Sequence, residues 1–405
     1  MLHSTTFAIP CIKTNSLDIL DRYKKEYITL SQALESRERL SKSLNNCREP
    51  EFLKVAFEGY LSLLPELGKV LEKFQDNSKT NIQYQWQSTL SSSGKFFSDS
   101  FFAFEVAMAL TAYATLKLCL AEQNFVSEEE QEINQVSRYL CEAAGIFEYL
   151  QDNILPECII QASIPTPPDI HPNAAAFMNR LALGLAQEKV IHKAQLRCSS
   201  EMTLLKLCNA AVQMFTQALA KVSSIQGCEP VTSTILKFAE FHLLLSKAMS
   251  CFYLGKVSDM KMEHGLKVAC LRYCCEILQK QQIQKLLGKF SFTKLTCSQR
   301  ALSIEAYQLY QLYQKQNSTV YHEREPDWST IVYESERLLV KSIPFMLLDN
   351  SRTTISQRLQ NLRIQEPKEQ AVSREKPHSI ETQREEDKRK SKNSRNRRVF
   401  ELCTE

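Results

Sequence analysis

Glycine is scarce in this chain, nine residues of 405, and no two are spaced to form a phosphate-cradling loop. That poverty argues against α/β nucleotide folds, whose tight turns consume glycine. Uninterrupted apolar runs are also missing. The longest, Phe101 to Ala121, contains Glu105 and Lys117, which leave eleven uncharged residues between them. A bilayer needs about 18–20, so the run predicts a deeply buried core helix. Met1 to Leu20 lacks the apolar centre of a signal peptide and carries Thr5, Thr6, Lys13, Asn15 and Asp18 instead. The fourteen cysteines therefore read as thiols of a reducing compartment, cytosol or nucleus, rather than a disulfide framework. Cys119, Cys208, Cys251, Cys270 and Cys274 fall inside amphipathic helical runs, where a thiol acts as a small hydrophobe.

Catalytic and metal-binding patterns are lacking as well. Cys270 and Cys274 share a helix face, with Cys275 and His264 near, but no CxxC or HxxxH pair completes a four-ligand set. His192 and His242 lie within helical runs and read as packing or surface residues. No Ser-His-Asp or Cys-His arrangement has supporting loop chemistry. These absences predict a protein that is not an enzyme and holds no cofactor or metal.

What is present is helical period. Ser127-Glu128-Glu129-Glu130 reads as a capping box, with its carboxylates favouring the positive helix end. Behind it Ile133, Val136, Leu140, Ala143, Ala144, Phe147, Leu150 and Ile154 recur at three- and four-residue steps and share one buried face. The small residues at 143–145 allow a neighbouring helix to approach closely, and Pro156 closes the run. Helices are predicted near 17–36, 50–75, 99–122, 127–154, 172–197, 200–224, 230–254, 257–282 and 298–317. Breakers separate them: Pro50, Ser91-Ser92-Ser93-Gly94, Pro165-Thr166-Pro167-Pro168, Gly227 with Pro230, Gly255 and Pro326. The short connections after 200 force antiparallel neighbours, in the manner of a tetratricopeptide stack without a strict 34-residue repeat. Before all this, Phe7-Ala8-Ile9-Pro10-Cys11-Ile12 looks extended, because Pro10 bars a helix. The class is all-α with a small N-terminal β element. Residues 1–350 form the helical domain and 351–405 a charged tail. Residues 366–405 hold eleven Lys/Arg and nine Asp/Glu with almost nothing apolar, a composition that predicts disorder.

Several motifs, in order, resemble the Bro-type domain family. They are Phe7-x-Ile9-Pro10 with Thr14 and Asp18, Tyr84-x-Trp86, Ala143–Phe147, and Pro168-Asp169-Ile170 with Leu183-x-x-Ala186-Gln187-Glu188. Leu207-Cys208-Asn209-Ala210-Ala211, Val320 through Asp327, and Leu339-Val340-Lys341-Ser342-Ile343-Pro344 complete the series. The resemblance implies an elongated, curved, boomerang-shaped helical array with tetratricopeptide-like central hairpins. It also implies a non-catalytic adaptor that binds the C-terminal helix of an ESCRT-III subunit, the charged multivesicular body protein of type four. The setting implied is endosomal sorting, membrane scission or repair, in the cytoplasm and at the periphery of endosomal or other membranes. The stand-alone, BROX-like form fits best, although Leu402 rather than a cysteine is fourth from the end, so lipid anchoring is not assumed. The alternative is a rhophilin-like signalling scaffold without ESCRT binding.

By resemblance the partner helix would dock on Val190, Thr203, Leu207 and Leu339, with Thr203 standing where an aliphatic is expected. The residues alone leave the matter open. Leu204, Cys208, Ala211, Phe215, Leu219 and Val222 form the core stripe of the helix at 200–224. Leu207 and Met214 sit off it, and either pack on a second neighbour or line an exposed groove. Tyr321 reads as a ring that pins a polar loop to the helices, or as a regulatory phosphotyrosine. Lys388, Arg389, Lys390, Lys392, Arg395, Arg397 and Arg398 make a basic run without an acid. It reads as a solvated tail, an anionic-membrane patch or a nuclear import signal. Nucleic acid is not expected without an aromatic platform, nor is a small-molecule substrate.

Overall fold

The computed structural model describes residues 7, 11–13, 28–46, 49–75, 83–124, 129–156, 158, 166–279, 293–327 and 337–347. The chain divides into two compact units, Met1–Arg352 and Thr353–Glu405. Every described residue belongs to the first, so the charged tail and its basic run lie outside the described residues.

Helix α1 (Ile28–Asn46) is followed by α2 (Pro50–Leu61) and α3 (Leu64–Gln75). The sequence predicts one helix over 50–75. The break has a local cause: Pro65 has no N–H to give the Leu61 carbonyl, and the Ser62 hydroxyl bonds back to the Gly59 carbonyl at 2.9 Å.

Three short strands, β1 (Ile12–Lys13), β2 (Tyr84–Gln87) and β3 (Phe96–Asp99), form an antiparallel sheet in the order β1-β2-β3. Ile12 lies opposite Trp86, and Trp86 opposite Phe97. Period two turns Tyr84 and Trp86 inward together. The hairpin β2–β3 is the part that the helical reading left as an aromatic pair and a connector.

Helix α4 (Phe102–Gln123) is buried at every residue from Phe104 to Ala121. Among the described residues it alone is long and apolar enough to cross a membrane, yet 94% of that window is buried inside the protein. Its charges are satisfied in place. Glu105, fully buried, accepts from Arg37 Nε at 2.8 Å, Tyr60 Oη at 2.6 Å and Trp86 Nε1 at 2.5 Å. One carboxylate thus ties α1, α2, α4 and β2 together. Lys117 pairs with Glu142 at 2.9 Å and lies over the rings of Tyr113 and Tyr139.

Helix α5 (Glu130–Tyr149) starts later than its predicted capping box. Ser127 lies outside the described residues, and the Glu129 side chain makes no cap. Glu130 instead pairs with Lys193 and Arg197, across a helix boundary. The helix runs on into a π turn, Leu150–Ile154.

Five helices complete the described array: α6 (Pro172–Leu196), α7 (Glu201–Val222), α8 (Ser233–Met260), α9 (His264–Gln279) and α10 (Thr293–Gln316). Each packs on the next. The α6–α7 and α8–α9 turns are built alike, with Cys198 (φ 50°) and Met262 (φ 63°) in the left-handed region. In each, a following amide reaches back: Ser199 to the Ala194 carbonyl at 3.0 Å, Glu263 to the Ser258 carbonyl at 2.9 Å. Both are Schellman closures with a non-glycine residue at the αL position. Gly255, predicted as a breaker, lies within α8, where a Cβ would meet Leu271 at 3.1 Å. It serves helix contact, and the chain turns at 261–263 instead.

Candidate partner-binding face

Residues 337–347 carry no regular secondary structure and cross α5, α6 and α7 as an extended strap. Two neutral amides on one face of α6, eight residues apart, hold it. Gln187, fully buried, donates through Nε2 to the carbonyls of Leu207 (3.2 Å) and Arg337 (3.1 Å), and its Oε1 accepts from the Leu339 amide at 3.3 Å. Asn179 donates to the Ala144 carbonyl at 2.8 Å and to Ser342 Oγ at 3.2 Å. Backbone bonds from Arg337 to the Lys206 carbonyl (3.1 Å) and from Ile343 to the Cys141 carbonyl (3.0 Å) fix the two ends. Phe345 meets Tyr149 edge to face at 5.5 Å.

The small residues at 143–145 admit both a helix and the strap: Asn179 of α6 reaches the Ala144 carbonyl at 2.8 Å, and a Cβ on Gly145 would lie 1.7 Å from the Ile343 carbonyl oxygen. Backbone meets backbone there, and only glycine fits.

The four expected docking residues fare differently. Leu339 is 53% exposed on the strap. Val190 on α6 and Thr203 on α7 are partly buried. Leu207 is 1% exposed, and Met214 is buried too. Of the two readings left open for Leu207, burial is the one observed, and the strap's Arg337 amide bonds to the Lys206 carbonyl next to it. Leu207 lies beneath the surface and cannot itself be an exposed anchor. Thr203 has a local duty. Ser200 caps α7, and the hydroxyls of Ser200 and Thr203 lie 2.9 Å apart. The Thr203 hydroxyl is therefore already paired, which lessens the cost of covering it. Arg337 and Lys341 are exposed cations of the strap itself, and Lys206 lies on α7 where its carbonyl takes the Arg337 amide.

Tyr321, 42% exposed, closes a π turn after α10 and stacks on His264 with 3.4 Å between centroids. Beside it Glu323 accepts from the Gly265 amide at 2.7 Å, at the start of α9. The ring holds the loop against the helix end, one of the two roles read for it. Cys270, Cys274 and Cys275 are buried in α9. Burial pushes the Cys270 thiol up to about 12 and raises the other two, which keeps them protonated. Among the described residues no cluster of three or more His, Cys, Asp or Glu could hold a metal.

Sequence reasoning missed the two amides. Gln187 belongs to a quoted motif, but nothing local distinguishes a glutamine that clamps a strap 150 residues away from one at the surface.

A BRO1-like domain profile matches residues 10–367. The chain belongs to the BRO1-like domain family. Domains of this family are adaptors rather than enzymes. Solved structures share the fold, among them the following three. One, described as an ALIX BRO1 CHMP4C complex, is 16% identical with a TM-score of 0.63, covering 84% of this chain and 95% of that one. ALIX in complex with the SIVmac239 PYKEVTEDL late domain gives 16% identity and 0.67, covering 86% of this chain and 50% of that one. A structure titled as the basis for endosomal targeting by the Bro1 domain gives 17% and 0.60, covering 83% and 91%. No curated protein matches this BRO1-like chain by sequence.

Proposed function

We propose that this BRO1-like domain is a cytoplasmic adaptor, peripheral at endosomal or related membranes. Its strap-covered face would bind the amphipathic C-terminal helix of an ESCRT-III subunit of the charged multivesicular body type-four class. The observation that carries the reading is Leu339. An aliphatic side chain, more than half exposed, is held in a fixed place by the Gln187 clamp. Val190 on α6 and Thr203 on α7, both partly exposed, would extend the apolar surface, with Leu207 buried one turn on from Thr203. A guest helix would seat apolar residues at i, i+3 and i+4 on these groups. Lys206, Arg337 and Lys341 favour carboxylates on its flanks. Kinship with the domain of the ALIX BRO1 CHMP4C complex supports the choice of partner.

Calorimetry with the C-terminal peptide of such a subunit tests the reading. Wild type is expected to bind, and Leu339→Asp to weaken binding at least about tenfold, the scale of one lost apolar anchor. A well-folded wild type that gives no heat at millimolar peptide would end it.

A further inference from the structure

A second site lies on the other side of α6. At 100° per residue, Leu185, Glu188 and Lys189 point away from Gln187 and the strap. They line a cavity of about 80 Å³ together with residues of α4, α5 and α8 and with Phe7. Its walls are apolar, among them Leu118, Val136, Leu140 and Phe238, and its partly exposed charged residues include Glu122 and Lys189.

The most deeply buried polar residue lining this cavity is His242, which is 2% exposed. Its Nδ1 lies 2.9 Å from both oxygens of Glu188. A carboxylate only accepts, so Nδ1 carries the proton, and in the neutral ring Nε2 presents a lone pair. Nε2 is buried and has no hydrogen-bond partner among the described residues. Phe238, Phe241 and Phe215 surround the ring at 4.4, 5.4 and 5.6 Å between centroids. They flank the ring and supply no donor to a nitrogen lone pair. A buried acceptor left without a donor is uncommon in a native core. Beside an apolar cavity it selects one ligand chemistry.

We infer that this cavity binds a neutral O–H or N–H donor carried on a compact apolar group, with His242 Nε2 as the acceptor and Glu188 holding the imidazole tautomer. The volume is about half of the ~150 Å³ that encloses a benzene ring. It therefore takes the donor end of a ring and leaves the far edge at the mouth beside Glu122 and Lys189. The site is independent of the strap face and of any helical partner.

The test titrates the full chain with phenol and with benzene, following histidine imidazole nitrogens by long-range ¹H–¹⁵N correlation. The signal lost in His242→Gln identifies the ring. Phenol is expected to shift His242 Nε2 saturably and to bind at least about tenfold more tightly than benzene, the difference one satisfied hydrogen bond makes. Ala121→Phe, which fills the cavity, is expected to remove the response. Equal affinity for the two rings, no saturable shift, or phenol binding undiminished in a folded Ala121→Phe variant would each overturn the assignment. The phenol–benzene comparison needs only wild type, so it stands even if the filled variant does not fold. A parallel titration with N-acetyl-tyrosinamide separates sources. Binding of both phenols assigns the site to a partner's side chain, and binding of phenol alone to a free small molecule.

Discussion

The sheet and the strap are both non-helical segments laid on helices, and they are fastened by opposite chemistry. The sheet is fastened by buried carboxylates. Glu105 gathers Arg37, Tyr60 and Trp86, and Asp169 gathers the amide of Thr89 at 2.7 Å and the hydroxyls of Ser88 and Thr89. The strap is fastened by neutral amides, Asn179 and Gln187, with glycine at the closest approach. Buried charge carries a heavy desolvation cost and tolerates no missing partner. Amides hold backbone with weaker bonds and can re-form them after small shifts. The first arrangement cannot lose one partner without a large penalty, and the second holds the strap in place by several smaller contributions.

Substitutions can break that comparison. Glu105→Ala leaves the Arg37 guanidinium buried without its counter-charge and is expected to cost about 3–5 kcal/mol in urea denaturation. Leu207→Ala, at a buried position, is expected to cost about 2–5 kcal/mol. Leu339→Asp should stay within about 0.5 kcal/mol of wild type while losing peptide binding; matching stability losses at 207 and 339 would place Leu339 in the core. Gln187→Leu strips bonds from two carbonyls and one amide and is expected to cost about 1–3 kcal/mol. Limited proteolysis should then open the strap while the β2–β3 hairpin stays protected.

Acid gives a milder probe. Burial raises the Asp169 carboxyl above its ordinary 3.8 despite its hydrogen bonds. In the folded state it therefore holds its proton to higher pH than when unfolded. Its contribution is full below 3.8 and is lost as pH rises through the raised value. Denaturation midpoints of wild type and Asp169→Asn should diverge across that window, with the wild type falling relative to the variant as pH rises. Smallest of all, Cys198→Gly and Met262→Gly relieve left-handed backbone and should each gain up to about 1 kcal/mol in thermal unfolding.

Much of the helical frame is legible in the sequence, because it rests on local period. The apolar steps from Ile133 to Phe147 and the length of α4 follow from spacing alone. The split at Ser62 was hidden behind continuous amphipathic period, although Pro65 carried the signal. The hairpin β2–β3 escaped because two four-residue strands fall below what alternation can register. The docking face was legible only in part. Leu339 and Leu207 come from the same resemblance, yet one is open and the other buried, and the chain that meets α7 beside Leu207 is distant in sequence. Spacing along α7 cannot report a neighbour that arrives from residue 337.

That distance orders events during synthesis. Asn179 meets Ser342 across 163 residues, so α5, α6 and α7 leave the ribosome long before the strap exists. Until then the seam over Gln187 and Gly145 stays wet, and a nascent chain arrested short of residue 337 would offer chaperones an open groove. Maturation of the face ends with one of the last described segments to be translated.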